Sequence, residues 1–278
     1  MKVKICGARG SIPVTGSDRS KYGGNTSCIE VFENGWLLVL DGGSGIQNLS
    51  HLPLLKHNRI DILLSHFHLD HIQGLGFFGP LFDSDMEVHI WGPSGSMSTL
   101  QVQLSRYLSP PLFPISLKEL PCKLVLHDLE NSSFEIGPFK LESRYVIHPG
   151  PTVGYRISLN KSVFAYIPDH EPALGFNGMI QDTKWISGID ISQNADILIH
   201  DAQYTNAEYL SKKGWGHSSI NDAALFASLS NVKHVLFSHH NPKRTDDQLD
   251  NILHELQNNH QFKFNYELAK EGSEYELN

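Results

Sequence analysis

Residues 66–71 read His-Phe-His-Leu-Asp-His, and they follow directly on the run Ile60-Asp61-Ile62-Leu63-Leu64-Ser65. That run has the length and composition of a buried strand, so a dense cluster of imidazoles and a carboxylate must sit at a strand end. In extended backbone the period of two puts His66, His68 and Asp70 on one side. A helix starting near Asp70 then swings His71 back toward the same space. Four metal-competent side chains in six residues can serve two ions, the paired imidazoles on one and the Asp70-His71 pair on the other. Capping a helix or solvating a loop is the weaker reading, because a loop has no reason to prefer neutral imidazole over other polar residues.

This motif resembles the signature of the metallo-β-lactamase superfamily, and other segments resemble that family in order along the chain. Asp41-Gly42-Gly43-Ser44-Gly45 after an apolar strand is similar to its first motif, and His148 in Val-Ile-His-Pro-Gly-Pro to its third-motif histidine. Asp169 in Phe-Ala-Tyr-Ile-Pro-Asp-His resembles the aspartate that bridges two metals, and His239 in Val-Leu-Phe-Ser-His-His-Asn-Pro the last ligand. His240 rivals His239 for that role; His239 is preferred as the first imidazole beyond the strand. The resemblance implies an α/β fold, the four-layer αββα metallo-β-lactamase sandwich.

On this reading His66, His68 and His148 make one three-nitrogen site. Asp70, His71 and His239 make the other, and Asp169 lies between them. Three protein ligands plus a shared carboxylate leave an open position, as in a catalytic centre; structural zinc is closed by four ligands, usually rich in Cys. Cys6, Cys28 and Cys122 have no CxxC spacing and read as buried free thiols. Mixed imidazole and carboxylate donors suit two divalent ions, Zn²⁺ first, with Mn²⁺ or Fe²⁺ as alternatives. Such ions outweigh Asp70, Asp169 and a bridging hydroxide by about one positive charge, which favours an anionic phosphodiester.

The 278 residues hold one large core or two small ones. No Pro/Gly/Ser linker divides them and the proposed ligands span 66–239, so a single domain over 1–278 is expected. No run approaches a membrane span, and the N-terminus lacks an apolar signal core; a reducing, cytoplasmic setting is expected. The net charge of −8 with scattered basic residues argues against stable nucleic-acid binding. Strands are expected near 2–6, 27–33, 36–41, 60–65, 87–91, 123–127, 139–147, 153–159, 162–167, 196–200, 234–238 and 262–268. Helices are expected near 71–77, 95–108, 185–193, 205–213, 219–229 and 245–259. Asn221 or Ser218 is the expected cap of the fifth helix, Thr245-Asp246-Asp247 opens the sixth with acids in its first turn, and the acidic tail after Glu267 is expected as a solvated edge. Ser109-Pro110-Pro111-Leu112-Phe113-Pro114 reads as a stiff loop that lines the substrate mouth, meets a dimer partner or simply packs on the surface.

Two motifs narrow the reaction: Ile199-His200-Asp201-Ala202-Gln203-Tyr204 and Gly214-Trp215-Gly216-His217-Ser218-Ser219. They resemble a motif pair in the superfamily's phosphodiesterases, including tRNase Z, where a histidine held by an acid faces the metals. By that resemblance His217 protonates the leaving oxygen, Asp201 orients it, and Asp70 belongs to both metal site and catalytic set. Asp201 stands where tRNase Z has Glu, which shortens its reach; the alternatives are a Gly-rich-turn histidine for His217 and a helix cap for Asp201. tRNase Z also carries a long basic, Gly-rich arm between its third and fourth motifs. Here only twenty residues separate His148 from Asp169, and they read as a hairpin. The chain therefore resembles the small-molecule members, the phosphoribosyl cyclic phosphodiesterases and cyclic-nucleotide phosphodiesterases. Gly7-Ala8-Arg9-Gly10-Ser11 and Gly23-Gly24-Asn25-Thr26-Ser27-Cys28 resemble that branch too, although turn chemistry alone explains their glycines.

The resulting expectation is a dinuclear metal-dependent phosphodiesterase acting on a small cyclic phosphodiester, foremost a 3′,5′-cyclic nucleotide, through a metal-bridging hydroxide with His217 as general acid. The alternatives are a phosphoribosyl 1,2-cyclic phosphate phosphodiesterase, a lactonase or thioesterase on the same metals, and a non-catalytic nucleotide-binding sensor. A homodimer is expected by family resemblance only.

Overall fold

Apolar residues run almost continuously along the central strands, as in Trp36-Leu37-Leu38-Val39-Leu40, and each strand consequently has two faces to bury. In the computed structural model, which describes residues 1–95, 98–175, 179–180 and 182–278, this is met by two mixed sheets packed face to face. The first holds β1 (Lys2–Gly7), β2 (Cys28–Glu33), β3 (Trp36–Leu40), β4 (Arg59–Leu63), β5 (Glu87–Pro93), β6 (Lys123–Leu129) and β14 (Glu274–Glu276), in the order β14-β1-β2-β3-β4-β5-β6. The second holds β7 (Ser132–Ile136), β8 (Phe139–Tyr145), β9 (Val153–Leu159), β10 (Ser162–Ile167), β11 (Ile197–Asp201), β12 (His234–Ser238) and β13 (Asn265–Leu268), in the order β13-β12-β11-β10-β9-β8-β7. In both, an antiparallel meander gives way to parallel strands, at β3-β4 in one and β10-β11 in the other.

Period two sorts the core. On β10, Phe164 and Tyr166 join Ile5, Val31, Leu38 and Leu63 between the sheets, while Ala165 and Ile167 face outward under helices. The helices are α1 (Leu69–Ile72), α2 (Leu100–Tyr107), α3 (Ile189–Ser192), α4 (Asn206–Tyr209), α5 (Ile220–Leu229) and α6 (Asp246–Asn259). α2 lays Leu100 and Leu104 on the outer face of the first sheet; α5 and α6 lay Ile220, Phe226, Leu249 and Leu256 on that of the second. This is the expected αββα layering. Among the described residues no helix is long and apolar enough to cross a membrane.

Several boundaries differ from expectation, for physical reasons. β7 is absent from the sequence reading because Ser-Ser-Phe-Glu-Ile is an edge strand with exposed polar positions and one fully buried residue. The acidic tail is not merely solvated: β14 pairs Tyr275 with Val3 and leads into buried Leu277. The helix expected over 71–77 stops at Ile72 and continues as a 3-10 turn, and that over 185–193 is confined to Ile189–Ser192. In the helix expected over 95–108, residues 96–97 lie outside the described residues, and Thr99 caps α2 by accepting from the Val102 amide. The loop after α2 is a packed surface loop, with Phe113 buried against Tyr107, Phe77 and Phe82. Neither Asn221 nor Ser218 caps α5. Ser219 does, accepting from the Asp222 amide, while Ser218 donates to the His170 carbonyl.

The cap yields a test. Ser219→Ala should lower unfolding free energy by about 1 kcal/mol, read from the urea midpoint, whereas Asn221→Ala should shift it by less than about 0.5 kcal/mol.

Candidate metal centre

Five of the parallel-paired strands deliver side chains at their C-terminal ends, the edge at which open α/β sheets place their sites. β3 ends into Asp41, β4 into Ser65 to His71, β10 into Asp169, β11 at Asp201 and β12 into His239. His148 comes from the β8-β9 connection, whose following residue Val153 donates its amide to the Ser65 carbonyl across the sheets.

Asp169 is central. Its Oδ1 lies 3.2 Å from His71 Nε2, and its Oδ2 lies 3.4 Å from His239, 3.7 Å from His66 and 3.8 Å from His148, each at Nε2. The donor atoms of His66, His68, His148 and Asp169 fall within 4.8 Å of one another, and so do those of Asp70, His71 and His239. These seven side chains therefore converge at the strand ends, and a further set of donor atoms within the same distance joins Asp169, His217 and His239. His240 does not join them: its Nε2 donates to the Ala269 carbonyl at 2.7 Å, on the far side of the strand end.

His71, His66 and His148 are each aimed by a partner on the other nitrogen, as metal-binding histidines commonly are. His71 Nδ1 meets Asp41 Oδ2 at 2.8 Å, and Asp41 also accepts from the Ser65 amide and hydroxyl and from the Tyr166 hydroxyl. His66 Nδ1 meets Ser65 Oγ at 3.0 Å, and His148 Nδ1 donates to the Gly216 carbonyl at 2.6 Å. Ser11, at the end of the first glycine turn, donates its amide to Asp70 Oδ2 at 2.6 Å.

The glycines of these turns clear space for imidazoles. A Cβ on Gly10 would come within 2.3 Å of the His239 ring, and one on Gly216, at φ +88, within 2.3 Å of His148 Nδ1. His239 itself is left-handed, with φ +59, a conformation costing about 1–2 kcal/mol outside glycine and held by the surrounding contacts. Glu171 fixes the second turn by accepting from the amides of Gly214 and Gly216, both at 2.7 Å, and from the Tyr209 hydroxyl.

Charge in this enclosed space suits cations. Burial would raise Asp169, but His239, His71 and His66 hold it well below the carboxylate range. Burial lowers His66 and His68 and brings His148 down to about 4, the neutral form a metal requires. Burial would lower His71 too, but Asp169, Asp70 and Asp41 raise it well above its usual value; a cation must displace that proton. His66 Nε2, His71 Nε2 and Asp169 Oδ1 are sealed from solvent without a hydrogen-bond partner, each a penalty of about 1–3 kcal/mol that coordination removes. The donors thus fit divalent cations in a site with a carboxylate at its centre.

Beside the cluster stands His217. Its Nδ1 lies 2.7 Å from Asp201 Oδ2 and 3.8 Å from Asp169 Oδ2, and its ring stacks on that of His239. Burial opposes its charge, but Asp201 and Asp169 outweigh burial and raise it to about 9. Asp201 is braced by the amides of Gln203 and His170. It does not cap α4; Thr205 does, with Glu208 completing a capping box. Sequence reading left the supporting residues Ser11, Ser65, Tyr166, Glu171 and Gln203 without roles. Only Asp41 carried a legible signal, as an acid directly after an apolar strand.

Cation uptake near pH 7 should release protons, because His71 enters protonated. Titration calorimetry in buffers of different ionisation enthalpy should show this, with apparent affinity rising as pH increases until His71 has lost its proton. Asp169→Ala should lower bound metal, measured by atomic emission after dialysis, and Gly216→Ala should do so by displacing His148.

The comparisons agree with this geometry. Residues 38–240 match the family model described as beta-lactamase superfamily domain. The chain is 26% identical over 282 residues to ribonuclease Z of Nanoarchaeum equitans, covering 87% of this chain and 84% of that one. Its fold is similar to that of the metallo-beta-lactamase fold protein YhfI from Bacillus subtilis, with TM-score 0.72 and 20% identity over 99% of this chain and 98% of the other. It is likewise similar to human tRNase Z, short form, with TM-score 0.68 and 20% identity over the whole of both. With the matched model spanning most of the chain and the αββα layers carrying a histidine and aspartate cluster at their strand ends, this protein belongs to the beta-lactamase superfamily and has the metallo-β-lactamase fold.

Proposed function

We propose that the protein is a dinuclear metal-dependent phosphodiesterase that hydrolyses a small cyclic phosphodiester, foremost a 3′,5′-cyclic nucleotide. The observation that carries this reading is His217, whose imidazole lies 2.7 Å from Asp201 and 3.8 Å from the central Asp169. His66, His68 and His148 would hold one ion and Asp70, His71 and His239 the other, with Asp169 shared. Zinc suits these donors first, and manganese or iron second. Ions bound there supply Lewis acidity toward the phosphoryl oxygens and lower the pKa of a water.

The chain's own residues do the rest. Asp41, Ser65 and the Gly216 carbonyl aim the imidazoles, and Ser11 fixes Asp70. Asp201 holds Nδ1 of His217, which leaves Nε2 to carry a proton outward to the departing ribose oxygen. A lactone, thioester or β-lactam needs no such donor, so the Asp201-His217 pair favours a phosphodiester with a basic leaving group. The interval between His148 and Asp169 is filled by the β9-β10 hairpin, in which Leu159 pairs with Ser162; that supports a small substrate over transfer RNA. The phosphoribosyl 1,2-cyclic phosphate and sensor readings remain alternatives, separated by incubation with each ester and chromatography of products.

A second reading, cleavage of transfer-RNA precursors at their 3′ ends, is favoured by curated relatives named ribonuclease Z. Precursor processing at physiological salt should be weak or absent, given the net charge of −8. Efficient cleavage at the 3′ end would instead establish the nuclease.

Removing the proton donor should matter in proportion to the basicity of the leaving group. His217→Ala should slow cyclic-nucleotide hydrolysis by about 10²–10⁴-fold with metal content unchanged, and should slow bis-p-nitrophenyl phosphate far less. Because the donor must be protonated, the wild-type rate should fall as pH rises toward about 9, and bound cations move that limb lower. The variant should lack this limb. Equal losses on both esters would reassign His217 to substrate positioning.

A further inference from the structure

Among the cluster's imidazoles, His239 is anomalous. Asp41, Ser65 and the Gly216 carbonyl serve the Nδ1 atoms of His71, His66 and His148, but His239 Nδ1 is sealed without a partner. Its Nε2 faces Asp70 and Asp169, so a cation bound at Nε2 leaves Nδ1 as the protonated nitrogen, a donor in need of an acceptor. The ring lies against Gly10, where a Cβ would come within 2.3 Å of Nδ1.

A second sealed, unpartnered atom lies at the same turn. Gln203 is 4% exposed, and its Oε1 has no donor. Its Nε2 lies 3.3 Å from Ser11 Oγ, next to Gly10, so the carboxamide is anchored at the Gly10-Ser11 turn that the His239 ring packs against. The rest of the residue is fixed: its amide donates to Asp201 Oδ1 at 2.9 Å, and its carbonyl accepts from Arg244 Nη1 at 3.2 Å.

We infer that Gln203 is a positioning residue for His239, its carboxamide oxygen accepting the Nδ1–H through one water at the Gly10-Ser11 turn. This rests on the dinuclear reading above. Gln203 then joins two parts of the site. One end braces Asp201, which holds His217; the other braces His239 and, through Ser11, Asp70. Its effect on the reaction runs through these residues.

The test compares wild type with Gln203→Leu and Gln203→Glu. The leucine keeps the volume and removes both polar atoms, whereas the glutamate keeps an acceptor and lets the Ser11 hydroxyl donate instead. Zn²⁺ affinity is read by competition with a chromophoric chelator. Leu should weaken one of the two ions by about 10–100-fold, and Glu should stay within a few-fold of wild type. In the zinc-loaded wild type, histidine-region NMR should show a slowly exchanging Nδ1 proton for His239 that is lost in the Leu variant. Urea midpoints of the metal-free proteins should be close to one another. Wild-type affinity in the Leu variant, or equal impairment by Leu and Glu, overturns the assignment. Should the Leu variant not fold, the wild-type spectrum decides, and absence of a protected His239 Nδ1 proton overturns it. Failure of wild type to take up two ions would instead remove the dinuclear reading itself.

Discussion

One buried carboxylate organises this molecule. Asp169 is 1% exposed and lies within 4 Å of the imidazoles of His66, His71, His148, His217 and His239. An isolated carboxylate in such a place would shed its charge; the histidines keep it ionised. They in turn need acceptors on their outer nitrogens, so the chain surrounds the cluster with Asp41, Ser65 and the Gly216 carbonyl. Each support is itself bound: Asp41 by the Tyr166 hydroxyl, the Gly216 turn by Glu171. The polar network extends outward until it ends in backbone amides, and atoms left without a partner, His66 Nε2, His71 Nε2 and Asp169 Oδ1 among them, belong to the cluster itself.

The repeated sheet pattern makes this possible. Both halves run an antiparallel meander into parallel strands, and both point parallel strand ends at one place. The clustered histidines and aspartates are therefore fixed by ladders on opposite sides of the inter-sheet core, and links between the sheets, such as the Val153 amide on the Ser65 carbonyl and the Tyr155 hydroxyl on the Leu64 carbonyl, set the spacing between those from the two sheets. A perturbation of that core should be felt at the cluster even where no ligand is touched.

Legibility in the sequence followed burial and periodicity. Strands with an apolar face, such as β4, β10 and β12, announced themselves, and so did the histidines and aspartates that cluster at their ends, because ionisable residues directly after a buried strand have few structural reasons to be there. β7 and β14 did not, since pairing at a sheet edge asks little of the side chains. The supporting residues were opaque for another reason. Tyr166 and Glu171 act through partners far away in sequence, 125 residues in the case of Tyr166 and Asp41, and no local pattern encodes such a contact. Gly10 and Gly216 were visible as turns, but their role of making room for an imidazole depends on which ring arrives from another strand.

That arrangement also constrains how His217 and the cluster can vary independently. His217 follows Gly216, whose carbonyl orients His148, and His217 also stacks on His239. It is thus joined by one peptide to the support of one histidine group and by ring contact to the other. A change of the 214–217 turn that moves His217 also disturbs His148, so the two form one structural unit. Around that unit Ile12, Leu69 and Trp215 are exposed, and each adjoins in sequence a residue of the cluster or of its supports, which leaves these positions freer to vary than the unit itself.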